Sequence, residues 1–97
     1  MSNLYYEPPT DEQFNEVKDK TTEIWNSYPD EFGYRSEKLN RIKYTENVGD
    51  NVMFLIAMFD IENQAILANK LSAETRKAIS DRMIAGGNPP EYNPFLI

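Results

Sequence analysis

Ninety-seven residues, 40% of them apolar and 27% charged, suffice for one hydrophobic core and are too apolar for a disordered chain. With neither Cys nor His, the chain lacks the groups for disulfides, thiolate or imidazole metal sites and His-assisted nucleophiles, which leaves only carboxylate chemistry. Its net charge of −6 arises entirely in the first third, because residues 1–31 hold eight acids against two bases and residues 32–97 hold eight of each; that third is poorly suited to phosphate backbones or anionic membranes.

The stretch 1–9, with Leu4, Tyr5 and Tyr6 and the pair Pro8-Pro9, reads as an irregular tail. It lacks the basic-then-apolar order of a signal peptide, and no apolar run reaches the roughly 20 residues of a membrane span, so a cytoplasmic protein is expected. Thr10 with Gln13 forms a capping-box pattern, Asp11 and Glu12 suit the positive end of a helix dipole, and Pro29 bars the helix from continuing. A helix over about 11–27 is predicted, with Phe14, Val17, Thr21, Ile24, Trp25 and Tyr28 on its inner face. Pro29 to Gly33 reads as a turn in which Phe32 tucks inward. A short helix capped by Ser36 comes next, with Leu39 and Ile42 inside and Arg35, Lys38, Arg41 and Lys43 outside.

Gly49-Asp50 introduces eight consecutive apolar residues, Val52 to Phe59, closed by Asp60. Asp50 as a cap and the helical spacing on both sides favour a central helix over about 51–60, apolar all round and covered on every face. Complete cover is easier with a second copy, so a homo-oligomer, most simply a homodimer, is expected. Asp60 or Glu62 opens another helix with Ile61, Ala65, Ile66, Ala68 and Leu71. Ser72 and Thr75 open a last one with Ala78, Ile79 and Met83 inside, ended by Gly86-Gly87. The tail 88–97, with Pro89, Pro90 and Pro94, is not helical. The expected architecture is therefore a single all-α domain over 1–97: a compact bundle of four or five short helices in residues 10–87 around the central helix, with irregular tails at 1–9 and 88–97.

Three features bear on function. Glu12, Glu16, Asp19 and Glu23 recur at steps of four, three and four, which at about 1.5 Å per residue sets them roughly 5–6 Å apart along one helix face, near the spacing of nucleic-acid phosphates. Such a row can meet a basic partner as a nucleic-acid mimic, or it can be a solvated face eased by Lys20. Phe95, Leu96 and Ile97 after a Pro-rich spacer can form a docking peptide, as can Leu4-Tyr5-Tyr6, or these ends can pack on their own bundle. Arg35, Lys38, Arg41 and Lys43 with Tyr34 or Tyr44 offer the elements of a nucleotide site, cations for phosphate and a ring for the base.

The segment from Glu46 to Leu55, in which Glu46, Gly49 and Asp50 precede a buried apolar helix, resembles the second carboxylate motif of the MazG-like nucleoside triphosphate pyrophosphohydrolases. The resemblance implies that Glu46 and Asp50 share a helix face and, with Glu37, bind Mg²⁺. It spans about fifteen residues. Asn47 stands where that family has a second acid, and the preceding helix offers Glu37 alone where the family presents three acids. The reading preferred here is a small non-enzymatic acidic accessory or inhibitor protein with no cofactor. It acts by binding another protein with a basic surface, in the style of phage-encoded regulators of host or defence machinery, and contacts neither nucleic acid nor membrane directly. A nucleotide-sequestering protein and a Mg-dependent pyrophosphohydrolase are the alternatives.

Overall fold

In the computed structural model, which describes residues 7–96, the first helix begins where Thr10 places it. Thr10 Oγ1 accepts the Gln13 N–H at 3.1 Å and Gln13 Oε1 accepts the Thr10 N–H at 2.9 Å, so both halves of the capping box are made. This helix, α1, spans Asp11–Asn26 and buries Phe14, Val17, Thr21, Ile24 and Trp25, the expected face. Thr21 returns its hydroxyl to the Val17 carbonyl at 2.8 Å, which satisfies a polar group inside the core.

Four further helices complete the order: α2 (Tyr34–Tyr44), α3 (Asn51–Ala57), α4 (Ile61–Lys70) and α5 (Ala73–Ala85). The described residues are thus all-helical, with five α-helices, two short 3-10 turns at Glu31–Gly33 and Pro90–Tyr92, and no strand. No helix among them is long and apolar enough to cross a membrane. Helix α1 is the element on which α2, α3 and α4 all pack. The joint between α1 and the residues after α3 is aromatic: Trp25 stacks on Phe59 with ring centroids 5.1 Å apart and meets Tyr28 and Tyr34 at its edges.

Several local expectations are corrected. Ser36 lies inside α2 and does not cap it; Asp30 takes the capping part instead, accepting the Ser36 N–H at 2.9 Å and its hydroxyl at 2.6 Å. Asp50 precedes α3 without a side-chain cap, because both its oxygens are turned to Arg82 of α5, at 2.8 Å each from Nε and Nη2. The Val52–Phe59 run is not covered on every face: Val52, Leu55, Ile56 and Phe59 are buried, but Phe54 and Ala57 face outward. In α4 the buried pair is Leu67 and Ala68 while Ile61 and Ile66 are exposed; Asp60 is its cap, bonding the Asn63 N–H at 2.9 Å. Ser72 caps α5 through the Thr75 N–H, and α5 ends at Gly86-Gly87, where Gly87 supplies a left-handed φ of 86° while its N–H and that of Asn88 close on the Ile84 and Met83 carbonyls.

The C-terminal tail returns to the bundle. Phe95 is 0% exposed. Its amide bonds Asn93 Oδ1, whose own Nδ2 reaches Ser80 Oγ at 3.1 Å. Arg76 of α5 closes over this segment, donating to the carbonyls of Phe95, Leu96 and Pro94 at 3.0, 3.1 and 3.3 Å. A planar cation with several fixed donors suits a run of backbone carbonyls that no helix satisfies.

Candidate functional site

The acidic row on α1 splits into two pairs. Glu16 faces α5, where its carboxylate accepts the Ser72 N–H, the Ser72 hydroxyl at 3.0 Å and the Thr75 hydroxyl at 2.7 Å. Burial works to raise its pKa, but these bonds and the nearby Lys20 charge outweigh it and hold the carboxyl below the ordinary glutamate range. Glu23 bridges to Lys70 of α4 at 2.8 Å and to Lys20 at 3.6 Å, and the Lys70 hydrogen bond lowers its pKa likewise. Glu12 and Asp19 remain as exposed acids with no ion pair among the described residues. They stand seven positions apart, about 10 Å along the helix, so the even 5–6 Å row of unengaged charge is interrupted. The sequence shows the periodicity of these acids but not which neighbour each one meets.

The basic residues of α2 each have a neighbour of their own. Arg35 is tied to the Tyr28 carbonyl at 3.0 Å and Arg41 is paired with Glu37. Lys38 sits 4.9 Å from the centre of the Tyr34 ring and 6.0 Å from that of Trp25, and Lys43 lies 5.5 Å from that of Tyr44. At about 100° per residue, Lys43 is roughly 160° around the helix from Arg41. The carboxylates that the pyrophosphohydrolase resemblance joins are also apart in role: Glu37 pairs with Arg41, Asp50 with Arg82, and Glu46 lies in the loop before α3 and not on its face. No group of three acids close enough to hold a metal occurs among the described residues.

The ends differ from one another. Phe95 belongs to the core, Leu96 is partly exposed, and Ile97, like Leu4, Tyr5 and Tyr6, lies outside the described residues.

A site that sequence pattern places wrongly is the corner between α1 and α2. Phe32, expected to tuck inward, stands at 106% relative exposure, and its backbone is left-handed, with φ 55° and ψ 25°. Gly33 comes next at φ 74°, so two successive left-handed residues swing the chain around and throw the phenyl ring outward. Beside it, Tyr28, Pro29, Glu31, Phe32, Tyr34 and Glu37 line an open hollow of about 410 Å³. Asp30 pins the corner through Ser36, and these two hydrogen bonds lower its pKa. Beneath lies Trp25, whose indole N–H is buried without a hydrogen-bond partner among the described residues. The only sequence signal for this corner is Gly33 after an aromatic in a Pro-Asp-Glu-Phe-Gly turn, a pattern that leaves the direction of the ring open.

Comparison with known proteins gives no match to this chain among protein families, curated sequences or solved structures.

Proposed function

We propose that this chain is a protein-binding accessory or inhibitor that docks through the α1–α2 corner, with Phe32 as the anchor. The observation that carries this reading is the combination of full exposure and left-handed backbone at Phe32. An L-residue in that conformation costs roughly 1–2 kcal/mol, and an aromatic ring held out in water adds nothing to the core in return. Strain kept at an exposed aromatic is what a preorganised binding knob requires, because buried aromatic anchors supply most of the energy in protein interfaces. Tyr34 and Pro29 widen the apolar contact around it.

The partner is a protein with an apolar pocket bordered by basic residues. Glu31 at the corner and, further back along α1, the exposed Glu12 and Asp19 add to the chain's net charge of −6, and such charges accelerate encounter more than they hold the complex. Affinity capture with the immobilised parent chain and with a Phe32→Ala variant tests the proposal. A protein retained by the parent in saturable fashion and lost with Phe32→Ala supports it. Equal retention by both variants removes Phe32 from the interface and with it the reading.

A further inference from the structure

A second surface, on the other end of α2, has the composition of a self-association face. Tyr44 at the end of α2, Val48 in the loop after it and Phe54 on the outer side of α3 are exposed by 70%, 60% and 45%. With Thr45, Glu46 and Asn51 they line one open depression of about 330 Å³, so three large apolar side chains are gathered around a single hollow. Two charged groups border it. Glu46 belongs to the lining, and its carboxylate has no ion-pair partner among the described residues. Lys43 adjoins it through Tyr44, its ammonium 5.5 Å from the centre of that ring and in no ion pair among the described residues. Nearby Lys18 is already held by the Lys43 and Thr45 carbonyls at 3.4 and 3.0 Å.

We infer that this face binds a second copy of the chain in a two-fold dimer, Phe54 and Tyr44 of each copy closing the hollow of the other and Lys43 of each copy facing Glu46 of its mate. The reason is charge. A two-fold interface brings a patch against itself, so a patch of one sign repels its copy, whereas a patch holding charges of both signs around an apolar centre is its own complement. For a chain of net charge −6 a pairing through acidic surfaces is repulsive, whereas this face, with Lys43 and Lys18 beside Glu46, carries both signs. A patch of this size falls short of the roughly 20–30 residues a side of a long-lived complex, so the dimer dissociates on dilution.

The interface makes a reciprocal prediction. Sedimentation equilibrium of the parent from about 5 to about 500 µM is expected to show mass rising from monomer to dimer. Lys43→Glu leaves two anions on the patch and Glu46→Lys leaves two cations, so each variant alone is expected to associate about tenfold or more weakly, while their equimolar mixture recovers association at least equal to that of the parent. Both of these side chains are exposed, and an unchanged helical circular dichroism spectrum verifies that the variants fold. Phe54→Ser, which removes an apolar side chain and no charge, is expected to weaken the parent dimer as well, and Phe32→Ala, at the separate corner, to leave it intact. A parent that stays monomeric throughout, single reversals that associate like the parent, or a mixture that fails to recover would each overturn the inference.

Discussion

Replacing Phe32 separates the cost of its backbone from the use of its ring. An L-residue in the left-handed helical region costs roughly 1–2 kcal/mol, and Asn is among the few that visit it routinely. Because the ring is fully exposed, its removal forfeits no packing. Phe32→Asn should therefore stabilise the fold by about 1 kcal/mol, which for a domain of under 100 residues raises the melting temperature by roughly 4–8 °C. Phe32→Ala keeps the Cβ and hence the strain, so its stability should stay within about 0.5 kcal/mol of the parent. Phe32→Gly relieves the strain but loosens the unfolded chain by about 0.4–1 kcal/mol, and should fall between the other two. All three lack the ring and should lose the partner alike, so Asn would give a more stable protein that no longer binds, the signature of a residue retained for function at a cost in stability. Thermal unfolding followed by circular dichroism is the assay. An Ala variant weakened by more than about 1 kcal/mol would mean that the ring is packed, and an Asn variant no more stable than the parent would mean that the left-handed turn is not costly.

Other consequences are testable, most of them in the same assay. Phe95→Ala should destabilise by about 3–5 kcal/mol, a large part of the roughly 5–15 kcal/mol available to a domain, because the ring fills the core; a loss below about 1 kcal/mol would return the tail to the surface. Glu16→Gln should cost about 1 kcal/mol at neutral pH by weakening the anchor on the first turn of α5. Since the folded Glu16 carboxyl lies below its unfolded value, its contribution is present above the unfolded value and is lost as pH falls through the folded one, so the gap between parent and Glu16→Gln should close in acid. Millimolar Mg²⁺ should shift the melting temperature by less than about 1 °C, because Asp50 is held by Arg82 and Glu37 by Arg41; a larger rise that disappears in Asp50→Ala would revive the pyrophosphohydrolase alternative. Neutralising Glu12 and Asp19 together should slow association with the partner and flatten its salt dependence without loss of stability, whereas neutralising Glu16 and Glu23 should lower stability first.

Where one physical signal dominates, the fold is readable from the residues. Thr10 and Gln13 define the start of α1, Ser72 and Thr75 that of α5, and Gly86-Gly87 its end, because capping chemistry acts over three or four residues and is complete within the local sequence. The misplacements occur where a side chain has both a local and a distant option. Asp50 is a good cap by type, but Arg82, 32 residues away, offers two charge-assisted bonds, and these take precedence over one backbone N–H. Ser36 loses the capping role to Asp30 because the left-handed pair Phe32-Gly33 brings that carboxylate back over the first turn of α2. Arg76 carried no signal at all, since the three carbonyls it gathers exist as a cluster only once the tail has folded back.

The acidic helix shows why charge pattern alone leaves function open. Four acids at helical spacing look equivalent in sequence, yet a helix face that borders two other helices has an inner and an outer edge. Glu16 and Glu23 fall on the inner edge, where the N–H and hydroxyl groups of Ser72, the Thr75 hydroxyl and the Lys70 ammonium make them part of the scaffold. Glu12 and Asp19 fall on the outer edge with only Coulomb forces to contribute. Charge at that edge, screened beyond about 8–10 Å at physiological salt, can guide a basic partner but cannot select one. If the chain acts by binding a protein, as proposed, selection has to come from a feature with shape. Phe32, fixed in direction by a strained turn that Asp30 pins from behind, has both the apolar area and the preorganisation that selection requires.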